Sequence, residues 1–534
     1  MTTERRMTVV SDVRVPMRDG VGLATDLYLP DDGRRHPCLI QRTPYDKNQP
    51  GIVNGALDVA SAVRRGYAVV VQDCRGRFAS EGAFVPFASE GADGADTIAW
   101  AAGQDWCDGV VGTFGRSYSG YAQWQAALHE PPALKAMAPM FSGTDPASDW
   151  FASETVFEWG FAMMWGFRQL APDLLARAAW PVSRDDYLAL VAGFDAVLTE
   201  QGPDSTVGID AVAPFLAGWM GRNQPSTGSA PGGRQVTVPS MLVGGWFDIF
   251  LRGTLSAWAS GERVGTDQAL LVGPWPHGGP MSGTYPEAGF GPMASSDAIG
   301  LSGRQLDWFD RWLRGIEPSA PAPRVTWFHT GENAWRTADR WPPVHRELRY
   351  ALGSGRLTAW EDAADGELTL SFDENTPVPT IGGQTFLPGL EVAANAGPRD
   401  QGELIGRADV GCFRGDELTA PVDVIGEVVV NARIRSELAA VSLMARLVEE
   451  LPGGEHMLVC EGAGRSDAHG TVRVALGTAS IRFAAGSRIT LLLSCTSSPR
   501  FRRWVTAQPP AAPRAGEITV LTGTGSFLTL PIAE

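Results

Sequence analysis

The spacing of apolar and polar positions changes twice along the chain. In the first part, nearly continuous apolar runs such as Tyr67–Gln72 and Leu134–Phe141 alternate with segments of helical pattern, for example Gly91–Ala102. Strands that are apolar on both faces and alternate with helices are typical of a parallel sheet covered on both sides. The N-terminal region is therefore predicted to be an α/β domain that opens with a hairpin around Arg18–Gly20.

A helical segment interrupts this pattern, and an all-β segment follows it. Residues 146–235 lack strand-like runs and contain helical ones such as Arg184–Gln201. The sheet pattern then resumes, and beyond residue 345 short alternating runs bounded by Gly and Pro indicate a β-sandwich or jelly roll. We therefore predict four segments: α/β domain, first part, 1–145; helical cap, 146–235; α/β domain, second part, 236–345; jelly-roll domain, 346–534.

The stretch V-V-G-T-F-G-R-S-Y-S-G-Y has the layout of a strand, a tight turn and a helix, with Ser117 at the apex. This is the arrangement of a nucleophile elbow, in which strand and helix backbones nearly touch and require small residues around the serine. Gly115 and Gly120 fit the usual pattern, while Ser119 stands where glycine is usual. A glycine-rich turn of an ordinary doubly wound sheet is the alternative interpretation.

A serine nucleophile needs a histidine to take its proton and a carboxylate to orient that histidine. Of the seven histidines, only His277 directly follows a buried strand of the resumed sheet, in the loop G-P-W-P-H-G-G. The strand before it ends in G-G-W-F-D, which puts Asp248 in the position of the acid. The order Ser, Asp, His is the one expected in this fold. A helix-capping role is the alternative for Asp248.

An oxyanion hole needs two hydrogen-bond donors directed at the developing negative charge. One is predicted to be the backbone N–H of Tyr118, directly after the nucleophile. The second is predicted to be the hydroxyl of Tyr45, in the loop R-T-P-Y-D-K that follows an early strand. A half-buried turn tyrosine is the alternative for Tyr45.

Charge and cysteine content limit the partners. The formal net charge of −16 disfavours nucleic acids and anionic membranes as partners. No segment approaches the length of an apolar membrane span, and no signal-peptide pattern begins the sequence. The six cysteines contain no C-x-x-C pair, which favours a reduced, cytoplasmic protein with no zinc site. We predict no metal and no cofactor, and a homodimer is left open.

Five motifs resemble those of the bacterial cocaine esterase family. In chain order they are R-T-P-Y-D-K, Y-A-V-V-V-Q-D-C-R-G-R-F-A-S-E-G, G-R-S-Y-S-G, G-G-W-F-D and G-P-W-P-H-G. That family also includes α-amino-acid ester hydrolases, glutaryl cephalosporin acylases and X-prolyl dipeptidyl peptidases. The resemblance spans essentially the whole chain. It implies an α/β-hydrolase domain with an inserted helical cap and a C-terminal jelly roll. It also implies Ser117, Asp248 and His277 as the triad, with Tyr45 and the Tyr118 N–H as oxyanion donors.

The expected activity is hydrolysis of a small-molecule ester or amide through an acyl-enzyme. A bulky, largely apolar acyl group is favoured, because the start of the cap is rich in aromatic residues. An amino-ester hydrolase, dipeptidyl peptidase or β-lactam acylase is the alternative, and a non-catalytic ligand-binding protein on the same scaffold is a more distant one. The candidate substrate-binding residues are Glu154, Phe157, Glu158, Trp159, Phe161, Trp165, Trp246 and Phe247. Glu154 and Glu158 are four residues apart, so on a helix they would share one face.

Overall fold

The computed structural model describes residues 6–177, 183–194, 198, 215, 219, 235–318, 322–343, 345–387, 395–467, 470–506 and 514–533. Much of the segment predicted as the cap, 146–235, therefore lies outside the described residues. The described elements form an α/β-hydrolase domain, the first part of the cap and a C-terminal jelly roll.

A ten-stranded sheet organises the α/β domain, in the order β1-β2-β4-β3-β5-β6-β9-β10-β11-β12. The strands are β1 (Met7–Pro16), β2 (Gly22–Pro30), β3 (His36–Thr43), β4 (Ala68–Asp73), β5 (Cys107–Arg116), β6 (Leu134–Met140), β9 (Ser240–Phe247), β10 (Gln268–Pro276), β11 (Val325–His329) and β12 (Ala334–Ala338). The strands from β4 to β11 pair in parallel. Antiparallel pairs stand at both edges, including the predicted hairpin around residues 18–20.

Helices cover both faces of this sheet. They are Pro50–Val53, Val59–Arg65, Glu90–Ala102, Tyr118–Ala127, Leu251–Val264 and Leu301–Arg314. The second of these is capped at its start by Asp58, whose side chain accepts the Ser61 N–H, and at its end by Gly66, which has a φ of 97°. Such a cap and a left-handed glycine are strong start and stop signals for a helix. Burial of the strand residues between the two helical layers forms the core of the domain.

The insertion after β6 begins differently from the prediction. Its described elements are the helices Pro146–Asp149, Trp159–Met163, Ala171–Ala176 and Arg184–Ala192, the π-helical turn Met164–Leu170, and the short antiparallel strands β7 (Ala152–Ser153) and β8 (Val156–Phe157). The expectation that Glu154 and Glu158 share one helix face is therefore wrong. Glu154 lies in the hairpin turn with a φ of 53°, and Glu158 precedes the first helical residue of the next element.

Two packed sheets form the jelly roll. One has the order β14-β13-β22-β17-β20, with β15 paired to β22, and the other has the order β16-β21-β18-β19. The strands are β13 (His345–Leu352), β14 (Leu357–Ala359), β15 (Gly366–Asp373), β16 (Val410–Glu417), β17 (Val422–Arg435), β18 (Ala440–Glu450), β19 (His456–Asp467), β20 (Thr471–Phe483), β21 (Arg488–Ser494) and β22 (Ala515–Ala533). Inward-facing apolar side chains of both sheets form one continuous core.

The jelly roll is joined to the cap through buried charges. Arg500 forms ion pairs with Glu158 of the cap at 3.0 Å and with Glu461 of β19 at 2.7 Å, and all three side chains are nearly inaccessible. This contact fixes the segment after β21 against the cap. Among the helices that the structure describes, none combines the length and apolarity needed to cross a bilayer.

Candidate active site

Ser117 stands at a strained turn between β5 and the helix Tyr118–Ala127. Its backbone has φ 60° and ψ −124°, which non-glycine residues rarely adopt, and such strain is typical of functional turns. A Cβ atom on Gly115 would lie 2.5 Å from the Cβ of Ser119, and one on Gly120 would lie 2.6 Å from the Cβ of Ser142. Strand and helix therefore approach so closely that only glycine fits at both positions.

The three side chains predicted as a triad lie in one hydrogen-bonded chain. His277 Nε2 is 3.0 Å from Ser117 Oγ, and His277 Nδ1 is 2.7 Å from Asp248 Oδ1. Asp248 is the first residue after β9, and His277 is the first after β10. These strands are parallel neighbours with Phe247 opposite Pro276, so the two residues that follow them meet at the same edge of the sheet.

The surroundings of His277 keep it neutral at physiological pH. The ring is buried between the rings of Phe250 and Phe386, at centroid distances of 4.7 and 5.3 Å. Burial lowers the pKa of His277 below its usual value of 6.5, and the positive charge of Arg116 acts in the same direction, while Asp248 opposes both. A neutral imidazole hydrogen-bonded to a serine is the form that a general base requires.

Two donors converge on Ser117. The N–H of Tyr118 belongs to the first residue of a helix, where no intrahelical acceptor exists. The Tyr45 side chain lines the same cavity as Ser117, and burial raises the pKa of its phenol. Trp165 Nε1–H donates to the same hydroxyl oxygen at 2.8 Å. Because the indole occupies an acceptor position of Tyr45, the phenolic proton remains available to point at Ser117.

Arg77 supports this donor, and the sequence analysis missed it. The guanidinium is fully buried and donates to the Pro44 carbonyl and to the Leu170 carbonyl, both at 2.9 Å. It also pairs with Asp173 at 3.4 Å. Arg77 thus links the loop that carries Tyr45 to the cap segment that carries Trp165. Arg77 is the second arginine of the motif Q-D-C-R-G-R. Its role could not be inferred from the motif, because its partners Leu170 and Asp173 lie in the distant cap.

A cavity of about 720 Å³ opens in front of Ser117. Of the predicted substrate-binding residues, Phe161 and Trp165 line it. Phe386, from the C-terminal part of the chain, completes the aromatic wall and was not predicted, because nothing in its local sequence relates it to the cap.

The two predicted acids lie elsewhere. Glu154 is on the surface and pairs with Arg473 at 3.2 Å, and Glu158 is buried against Arg500. Neither carboxylate lines the cavity in front of Ser117. The reason is the hairpin at the start of the insertion, which turns both acids away from the α/β domain and toward the jelly roll.

Four predicted aromatic residues also do not line the cavity. Trp159 donates its indole N–H to the Leu198 carbonyl within the cap core, and Phe157 lies under the guanidinium of Arg502. Trp246 donates to the Phe328 carbonyl, and Phe247 packs against Tyr285 and Phe290 beneath the sheet edge. All four serve packing, which is the usual role of large aromatic side chains.

Comparison with known proteins places these observations in context. The sequence model of the X-Pro dipeptidyl-peptidase (S15 family) matches residues 19–279, and that of the X-Pro dipeptidyl-peptidase C-terminal non-catalytic domain matches residues 319–509. The cocaine esterase of Rhodococcus sp. (strain MB1 Bresler) is 31% identical over 541 residues, covering 93% of this chain and 92% of the relative.

Two solved structures share the fold over the whole chain. An aminopeptidase from the marine sediment archaeon Thaumarchaeota archaeon has a TM-score of 0.81 at 22% identity, over 100% of this chain and 97% of the other. An α-amino acid ester hydrolase has a TM-score of 0.76 at 22% identity, over 100% of this chain and 98% of the other.

Proposed function

The chain belongs to the cocaine esterase family of serine hydrolases, and from that premise we propose that it hydrolyses esters through an acyl-enzyme on Ser117. One observation carries the proposal. Ser117, His277 and Asp248 form an unbroken hydrogen-bonded chain, with distances of 3.0 and 2.7 Å, at the wall of a cavity large enough for a small organic substrate.

In the proposed reaction, Ser117 Oγ attacks the carbonyl carbon while His277 Nε2 takes the hydroxyl proton. Asp248 accepts the Nδ1–H bond, which holds the ring in the required tautomer and stabilises the imidazolium. The bond to the leaving group breaks as His277 returns the proton to the departing oxygen. Water then attacks the acyl-enzyme with His277 as the base, which releases the acid and restores Ser117.

The oxyanion is stabilised in both steps by the Tyr118 N–H and the Tyr45 hydroxyl. Both donors are fixed before substrate arrives: one by the helix start and the other by Trp165 and the loop that Arg77 holds. Donors that need no reorganisation during the reaction are the most effective kind.

A bulky, largely apolar acyl group is the proposed substrate feature. Phe161, Trp165 and Phe386 form a continuous aromatic wall beside Ser117. The one carboxylate among the described lining residues, Asp173, is already paired with Arg77. A substrate with a free ammonium group therefore finds no unoccupied carboxylate in the described part of this cavity, which disfavours the amino-ester and dipeptidyl alternatives.

A substrate panel tests the proposal. Phenyl benzoate, phenylglycine methyl ester, its N-acetyl derivative and an X-Pro anilide are compared by kcat/KM, in wild type and in Ser117→Ala. We expect phenyl benzoate to be the best substrate and all turnover to disappear in Ser117→Ala. Preference for the free amine over its N-acetyl derivative, or for the X-Pro anilide, would replace the apolar-acyl proposal with an aminopeptidase-like one.

The proposal includes a cytoplasmic location. All six cysteines are free thiols, five of them buried, which suits a reducing compartment.

A further inference from the structure

Arg116 is the residue directly before Ser117, and it lines the same cavity. Its side chain is largely buried, with the guanidinium carbon 4.9 Å from the ring centroid of Phe141. Among the residues that the structure describes, none forms a hydrogen bond or an ion pair with this guanidinium. The carboxylate of Asp248 acts on this cation only at a distance and is already hydrogen-bonded to His277, so no described carboxylate contacts the guanidinium.

Four buried arginines among the described residues show how such a charge is balanced elsewhere in the protein. Arg42, Arg77, Arg446 and Arg500 each have a carboxylate within 4.0 Å: Asp93 at 3.7 Å, Asp173 at 3.4 Å, Glu461 at 3.3 Å and Glu461 at 2.7 Å, respectively. A buried charge that lacks such a partner destabilises the fold. Arg116 lines the cavity and has no carboxylate within 4.0 Å among the described residues, so its position suits a partner that arrives with the substrate.

The position of Arg116 also affects His277. Phe141, on which the guanidinium rests, has its ring centroid 6.3 Å from that of His277. Positive charge at this place lowers the pKa of His277 and so opposes formation of the imidazolium during catalysis. An anion bound to Arg116 would cancel that effect at the moment when the imidazolium forms.

We infer that Arg116 is a specificity-determining residue that binds a carboxylate carried by the substrate. The inference rests on the proposed function and narrows its substrate class to monoesters of dicarboxylic acids or esters of hydroxy acids. The fork of the guanidinium matches a carboxylate in two hydrogen bonds. The charge of the whole cavity lining also favours an anion. Arg168 lines the cavity without a carboxylate partner among the described residues, and Asp173, the one described acid in the lining, is paired with Arg77.

Matched pairs of esters test this inference. In the first pair the acyl half carries the charge: the phenyl monoester of glutaric acid and that of glutaramic acid. In the second the leaving half carries it: the benzoates of 3-hydroxybenzoic acid and 3-hydroxybenzamide. Each pair exchanges a carboxylate for a carboxamide of the same shape, and the readout is the ratio of the two kcat/KM values. This ratio is independent of any change in basal activity, and the two pairs show which half of the substrate reaches Arg116.

In wild type we expect at least one pair to favour the carboxylate by about tenfold to a hundredfold, the usual strength of a charged hydrogen bond. Arg116→Gln should bring that ratio close to one, and Arg116→Lys should leave it intermediate. Arg168→Gln, which removes a second cavity arginine, should retain most of the ratio. Labelling by a neutral fluorophosphonate shows that each variant is folded.

Three results would overturn the inference: no carboxylate preference in wild type, a preference that survives in both Arg116 variants, or an equal loss in Arg168→Gln. Failure of the proposed function is a separate result, because the fluorophosphonate would then not label wild type and neither member of any pair would be hydrolysed.

Discussion

The substitution Tyr45→Phe distinguishes a catalytic role of the Tyr45 hydroxyl from a packing role of the ring. Tyr45→Phe keeps the aromatic ring that packs against the cap and deletes only the hydroxyl. That hydroxyl accepts the Trp165 indole N–H at 2.8 Å, and Tyr45 lines the same cavity as Ser117. The substitution therefore removes one of the two proposed oxyanion donors and leaves the Tyr118 N–H in place.

Loss of one oxyanion donor costs about a hundredfold to a thousandfold in kcat, or roughly 2.7–4 kcal/mol of transition-state stabilisation. The cost in stability should be smaller, because only one group, the indole N–H of Trp165, loses its hydrogen-bond partner. We expect kcat for phenyl benzoate to fall within that range, with KM changed less than threefold and the melting temperature nearly unchanged.

Tyr118→Phe is the matched control, since it deletes a second tyrosine hydroxyl close to Ser117. The Tyr118 hydroxyl donates to Glu90 at 2.7 Å and accepts the Phe87 N–H at 2.8 Å, and all three groups are buried. Its loss leaves buried polar groups unsatisfied, which costs about 1–3 kcal/mol of stability. The backbone N–H of residue 118 persists, so kcat should stay within about fivefold of wild type.

The assigned roles of the two hydroxyls would be wrong if the two variants exchanged their phenotypes. Normal kcat with a lowered melting temperature in Tyr45→Phe would make that hydroxyl structural. A loss of kcat in Tyr118→Phe as large as in Tyr45→Phe would mean that distortion of the turn, and not loss of a donor, controls the rate.

His277, Arg77 and Glu158 can each be tested by a separate measurement. Burial lowers the pKa of His277 below 6.5, and the neutral ring is the form that acts as the base. In a plot of kcat/KM against pH, the loss of activity toward acid pH should therefore have its midpoint below pH 6.5. A midpoint above pH 6.5 would contradict the effect of burial on the ring. Arg77→Lys keeps the positive charge but cannot donate to the Pro44 and Leu170 carbonyls together. We therefore expect kcat to fall at least tenfold, with KM less affected. A fall in stability with unchanged kcat would mean that Arg77 serves only the stability of the fold. Glu158→Gln should lower the free energy of unfolding by about 3 kcal/mol because Arg500 loses a buried charged partner. The ratio of kcat/KM for phenylglycine methyl ester to that for its N-acetyl derivative should not change. A change in that ratio would place Glu158 in the substrate site.

The hydrolase fold was predictable because its signals are local. Buried strands, a glycine-flanked serine and polar residues directly after neighbouring strands each have a short sequence pattern. Since parallel strands end at one edge of a sheet, strand order alone brings Asp248 and His277 together. The contact of these two residues with each other and with Ser117 could therefore be predicted from the local patterns and the strand order.

The substrate cavity was not predictable in the same way, because it is built by contacts between distant segments. Phe386 reaches the site from the C-terminal part, and Arg500 draws Glu158 toward the jelly roll across 342 residues of sequence. A helical pattern at the start of the cap gave no hint of the hairpin that separates Glu154 from Glu158. Pairing with a distant charge and tertiary packing outweighed the local pattern there.

The central claim is that Ser117 becomes acylated during turnover. Rapid quenching of wild type with p-nitrophenyl benzoate, followed by digestion and mass spectrometry, tests it directly. We expect a burst of p-nitrophenol and the mass of one benzoyl group on the peptide that contains Ser117, both absent in Ser117→Ala. Turnover without an acylated peptide, or acylation at another residue, would contradict it.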